Sequence, residues 1–144
     1  MTAPFELTVH DQPWREAALV VDEGLGEANE QAAPMHEVQA LQCFVRTPEG
    51  DVIGGALGRT WGRCAELQQL WVSPAQRGQG LGTRLVRAFE QRAQERGCRV
   101  FYLETFSFQA PALYRSLGYE AVASIEGFGD GITKHLMTRV LPAP

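Results

Sequence analysis

Phe5, Leu7 and Val9 alternate with Glu6, Thr8 and His10, the period of two expected of a half-buried strand. The period lengthens after Asp11 and Pro13, where Trp14, Ala17, Ala18, Val21 and Leu25 recur at helical spacing. Gly24 and Gly26 interrupt that helix, and the small, acidic residues 27–36 predict a loop or a short helix ending at Pro34. Residues 38–45 and 52–60 make a predicted hairpin around Pro48 and Gly50, where proline presets φ and glycine accepts the left-handed region. Gly54, Gly55 and Gly58 in its second strand imply close approach to the backbone. A strand over 65–72 stops at Ser73 and Pro74. The clearest helix covers 80–96, with Leu81, Leu85, Ala88, Phe89 and Ala93 on one face and Gly97 as its stop. A buried strand over 99–105, a short helix over 110–117 and strands over 119–125 and 133–140 complete the order. The pattern predicts a mixed α/β fold: a single domain, 1–144, on a mostly antiparallel sheet of six to seven strands with flanking helices.

Composition narrows the class. A chain of 144 residues, 44% apolar, is one domain's worth and can fill a core without metal or disulfide staples. No apolar run approaches the ~18–20 residues of a membrane span, and the first residues lack the basic and apolar regions of a signal peptide. Cys43, Cys64 and Cys98 cannot all pair with one another, and neither they nor His10, His36 and His135 show metal-ligand spacing. The expectation is a cytoplasmic protein with reduced thiols, no metal and no membrane partner. A net charge of −4 argues against a nucleic-acid partner. Its distribution says more: residues 1–51 hold ten acids and two bases, residues 52–144 seven acids and eleven bases. A basic half suits a phosphate-bearing ligand and an acidic half a cationic one; two solvated faces would leave the same record.

The sharpest feature lies at 72–83, where a strand runs into Gly78, Gly80 and Gly82 and then into the amphipathic helix. Unpaired N–H groups at a helix start carry the positive end of the dipole and bind anions, and glycine lets the backbone approach them. A nucleotide-hydrolase loop would end in Gly-Lys-Ser/Thr, and the missing lysine excludes it. A dinucleotide fingerprint would sit at the first strand, and here the third glycine comes one position early. A structural turn needs fewer alternate glycines. Arg77, Gly80 and Gly82 after a strand resemble the acetyl-CoA motif of the GNAT N-acetyltransferase superfamily. The stretch 108–119, with Tyr114 and the closing Leu117, Gly118 and Tyr119, resembles that family's second signature, and the order of elements matches its fold along essentially the whole chain.

The resemblance implies transfer of an acetyl group from acetyl-CoA to a primary amine, on a small cationic molecule or a peptide, by direct attack on the thioester. A non-catalytic acyl-CoA-binding or sensor module on the same fold is the alternative. It implies a pyrophosphate site at Arg77, Gly78, Gln79, Gly80, Leu81, Gly82 and Thr83. The pantetheine arm would lie along the backbone of Leu70, Trp71 and Val72, where the fourth and fifth strands part. Family members often carry Asn seven residues before the tyrosine; Ser107 stands there, and its hydroxyl implies a weaker contact. Tyr114 is then the general acid for the leaving thiolate, whose ordinary pKa of ~8.5 lies near the phenol's ~10. A core tyrosine packed under Leu117 is the plain reading. A backbone N–H of Leu70 or Val72 would polarise the carbonyl. Glu66 stands where some members carry a general base, with Glu104 as its rival and a surface strand glutamate as the plain reading. An alkyl amine is neutral in about one molecule per thousand at pH 7, so a base or a desolvating pocket must supply about 4 kcal/mol. Residues 16–37 carry Glu16, Asp22, Glu23, Glu27, Glu30 and Glu37 with no Lys or Arg, which favours a cationic acceptor. Homodimerisation is left open.

Overall fold

The computed structural model describes residues 4–143, and the chain divides into two compact units, Met1–His36 and Glu37–Pro144. The first unit is built on one helix, α1 (Arg15–Ala32). It runs unbroken through Gly24 and Gly26, which corrects the predicted interruption, and of the loop or short helix expected over 27–36 it is helix that continues, as far as Ala32. Interior glycines cost roughly 1 kcal/mol each relative to alanine, yet no proline intervenes, and Glu27, Ala28, Glu30 and Gln31 are good helix formers. The strand predicted over 5–10 is absent. Phe5, Leu7 and Val9 are 92%, 88% and 85% exposed and join no ladder. Alternation marks a face, but a strand also needs a neighbour for its N–H and C=O groups.

The second unit carries six strands: β1 (Gln39–Arg46), β2 (Val52–Trp61), β3 (Cys64–Val72), β4 (Val100–Phe106), β5 (Glu120–Ile125) and β6 (Lys134–Val140). Their order across the sheet is β1-β2-β3-β4-β6-β5. Every neighbouring pair is antiparallel except β3 and β4, which run parallel and are joined by a crossover containing α2 (Leu81–Glu95). A short helix, α3 (Pro111–Ser116), links β4 to β5. The mixed α/β, mostly antiparallel fold is therefore present with the lower of the two expected strand counts. Among the described residues no helix is long and apolar enough to cross a membrane.

The buried face of α2, with Leu85, Val86, Phe89 and Ala93, shares one core cluster with Leu67, Phe101, Leu103 and Met137. Gly58 is fixed by this packing. A Cβ there would overlap the Glu66 carbonyl and come within 2.8 Å of the Phe89 ring. The close approach implied by the β2 glycines is thus made by β3, by Phe44 and by α2.

Two irregularities shape the sheet's centre. Pairing between β3 and β4 ends at Leu67 and Leu103. In the β2–β3 ladder Gly58 faces Leu67 but Leu57 faces Gln69, so Gln68 is a bulge that bends and re-aims the strand. Beyond it, 69–72 keep β2 as a partner and leave β4, and the two central strands part.

Candidate active site

The parted strands open into a cleft of about 550 Å³, lined by Leu70, Trp71 and Val72, by the turn into α2, and by Phe108, Gln109, Ala110 and Leu113. The Ser73 N–H donates to the Ile53 carbonyl at 2.8 Å, towards β2. Peptide groups alternate edges along a strand, so those of Leu70 and Val72 turn into the gap. The Val72 carbonyl already accepts a hydrogen bond from Arg77 Nε at 3.0 Å. In the turn, Gly78 and Gly80 hold φ of 81° and 77°, and nothing lies within 4 Å of a Cβ built on either. Conformation rather than crowding selects glycine there. Gly80 is the N-cap of α2, no side chain caps the helix, and its first turn holds no acid. The first-turn N–H groups of Leu81, Gly82 and Thr83 have no acceptor within the helix, which makes this cleft wall an anion cradle. Gln79 is not among the lining residues; its amide donates to Gln76 Oε1 at 3.4 Å.

A second cavity of about 230 Å³ shares Leu70, Gln109 and Ala110 with the cleft and adds Gln68, Gln69, Glu104, Thr105 and Tyr114. Tyr114 is buried on α3, with its ring edge-on to Tyr119 at 5.9 Å between centroids. Burial pushes its phenol up to about 12. The group therefore stays protonated at neutral pH, but it lies further above a thiol than an ordinary phenol does and is a weaker acid. Behind it the Tyr119 hydroxyl donates to Glu90 Oε2 at 2.8 Å, and Arg139 and Arg87 pair with the same carboxylate at 2.9 and 2.7 Å.

The two candidate carboxylates separate. Glu66 lies one residue inside the β3–β4 ladder, opposite Tyr102, and its carboxylate accepts from Arg59 Nε at 2.9 Å; it lines neither cavity. Glu104 lies one residue past the end of that ladder and is a wall of the second cavity with Tyr114. Ser107 lines neither cavity. Its Oγ accepts from the Thr133 N–H at 3.0 Å, and its own N–H donates to the Thr133 carbonyl at 2.8 Å. Glu16, Asp22, Glu23, Glu27 and Glu30 stand on α1 in the first unit. Among the described residues no group of three His, Cys, Asp or Glu side chains could hold a metal. Sequence reasoning passed over Gln109, which lines both cavities and accepts from the Phe106 N–H at 2.8 Å through its side chain, fixing the end of β4. Its position inside the second signature was the available signal. Lys134, whose ammonium lies 2.8 Å from Glu104, gave no such signal.

Residues 7–119 match the model of the acetyltransferase (GNAT) family. Blasticidin-S acetyltransferase of Streptomyces morookaense is 38% identical over 112 residues, spanning 77% of this chain and 80% of the relative. Streptothricin acetyltransferase of Streptomyces lavendulae is 29% identical over 130 residues, spanning 85% and 68%. The crystal structure of an acetyltransferase from Bacillus cereus superposes with a TM-score of 0.78 at 26% identity, covering 93% of this chain and 98% of that one. The chain belongs to the GNAT acetyltransferase family and is an N-acetyltransferase.

Proposed function

We propose that this N-acetyltransferase uses acetyl-CoA as its donor and the primary amine of a small basic molecule as its acceptor. The observation that carries this reading is the parting of β3 and β4 beside the glycine-rich start of α2. One cleft then offers a strand edge for an amide-containing arm and an anion cradle for a diphosphate, the two ends of a coenzyme A molecule. The N–H groups of Leu81, Gly82 and Thr83, with Arg77, Gly78 and Gly80, hold the diphosphate, and Gln79, which does not line the cleft, takes no part. Leu70, Trp71 and Val72 hold the arm. Ser107, which lines neither cavity and is engaged by Thr133, is given no contact with the arm.

The acceptor amine enters neutral, releasing its proton to solvent at a cost of about 4 kcal/mol at pH 7. Its nitrogen attacks the thioester carbon, and the charge that develops on oxygen meets the N–H of Leu70 or Val72. The C–S bond breaks, sulfur takes the electron pair and Tyr114 supplies its proton, and the new amide nitrogen gives up its surplus proton, which restores the phenol directly or through solvent. Glu66 stands outside this path. Relatives named for acetylating blasticidin-S and streptothricin support a small-molecule acceptor. The test is release of the coenzyme's thiol by the purified chain over a panel of small amines and peptide N-termini. Turnover on small amines supports the reading; turnover confined to peptide N-termini, or no thiol release from acetyl-CoA on any amine, overturns it.

A further inference from the structure

Lys134 opens β6 and sets its ammonium 2.8 Å from Glu104 Oε2 and 5.6 Å from the centroid of the Phe106 ring. The ladder explains the meeting. Phe106 lies directly opposite Lys134, and Glu104 is two residues earlier on the same sheet face. Phe108 stacks on Phe106 at 5.2 Å and Phe128 meets it edge-on at 5.3 Å, so the one ring that faces the cation beside the carboxylate is itself held by two others. A carboxylate beside an aromatic face is the chemistry that recognises ammonium and guanidinium groups. The place is also next to the reaction: Glu104 lines the cavity that holds Tyr114, and Phe108 lines the cleft. Glu104 is 56% exposed and Lys134 32%, and ion pairs this open to water are weak. An incoming cation can replace the lysine at little cost.

We propose that Glu104 and the Phe106 ring form a subsite for a second positive charge on the acceptor, occupied by Lys134 until the acceptor displaces it. The proposal rests on the amine-acetyltransferase reading and goes further, because it names the acceptor as at least dicationic. One amine reacts beside Tyr114, and a second ammonium or guanidinium pairs with Glu104. Lys134 acts as a filter on this choice. A monocation has nothing to gain there, since its single nitrogen must shed its charge to react.

Steady-state kinetics with 1,5-diaminopentane and pentylamine test the subsite, because the two share a chain and a reacting amine and differ by one charge. Glu104→Gln is expected to raise the ratio of KM for the diamine to KM for the monoamine at least fivefold. Lys134→Met is expected to lower that ratio at least threefold. Tyr114→Phe, measured in parallel, should lower kcat on both amines and leave the ratio alone. A ratio within twofold of wild type in both the Glu104 and Lys134 variants overturns the subsite while the acetyltransferase reading stands. An equal loss of kcat on both amines in Glu104→Gln makes that carboxylate a proton acceptor, which also overturns it. Wild-type protein that releases no thiol with either amine removes the small-amine reading and the subsite with it.

Discussion

The Tyr114 phenol, held up to about 12 by burial, is protonated at every working pH and is a weak acid for the same reason. Tyr114→Phe keeps the ring's volume, so acetyl-CoA affinity by calorimetry should stay within a factor of two. The catalytic rate should fall by about 10²-fold, the lower end of what a positioned acid contributes, because the donor's pKa lies well above the thiol's. Single-turnover kinetics check this directly, and a wild-type rate there removes Tyr114 from the mechanism. The same residue scale decides between Glu66 and Glu104. Both are strand glutamates, and both face away from the core. One sits just inside the last paired rung, held by Arg59, and the other just beyond it, beside Tyr114. A single rung of register separates a surface ion pair from a cavity wall.

The start of α2 and the bulge in β3 set what the elements can bind. Gly80→Asp places a carboxylate where the uncapped helix start favours an anion of its own. The left-handed φ costs an L residue about 1–2 kcal/mol, and the added Cβ meets nothing within 4 Å, so the fold should survive. Acetyl-CoA affinity should fall at least tenfold, with Gly80→Ala losing much less; equal losses in the two variants would mean that backbone strain rather than charge is responsible. Calorimetry on both proteins separates the outcomes. The bulge at Gln68 left a trace in the sequence: Ala65 and Leu67 face the core, and after it Leu70 and Val72 do, a change of parity within one strand. That parting of strands was expected only through the family resemblance, since periodicity alone treats 65–72 as one regular strand.

At the scale of the whole molecule, Glu90 ties together elements far apart in the chain. It is 1% exposed on α2 and holds Arg139 of β6, Arg87 of its own helix and the Tyr119 hydroxyl behind α3. Glu90→Ala removes the acceptor these three groups share and should destabilise the protein by about 3 kcal/mol in urea unfolding at pH 7. A loss under about 1 kcal/mol would show that solvent reaches the two arginines and replaces the carboxylate. Alkaline stability carries the same signature. Burial raises both Tyr114 and Tyr119, the latter also through Glu90, so each phenol stays neutral in the folded state where an unfolded one ionises near pH 10. Their contribution is complete below about pH 10 and is lost as pH rises towards the folded values, the first of them about 12. The urea midpoint should fall steeply between pH 10 and 12, and less so in Tyr119→Phe.

The sequence by itself determined the strands β1 to β6, the helices α2 and α3 and the glycine-rich turn between β3 and α2. Each of these depends on neighbours a few residues away: apolar periodicity, a proline or glycine stop, a φ only glycine takes readily. The tertiary structure alone decided that Phe5, Leu7 and Val9 form no strand, because a ladder partner cannot be read from the strand's own residues. It also decided that Ser107 is committed to Thr133, that Glu90 is buried among two arginines and a tyrosine, and that Lys134 pairs with Glu104. Apart from Arg87 and Glu90, three residues apart on one helix, those contacts join residues separated by many positions, and where strand register sets them a shift of one residue would send the side chain to the opposite face.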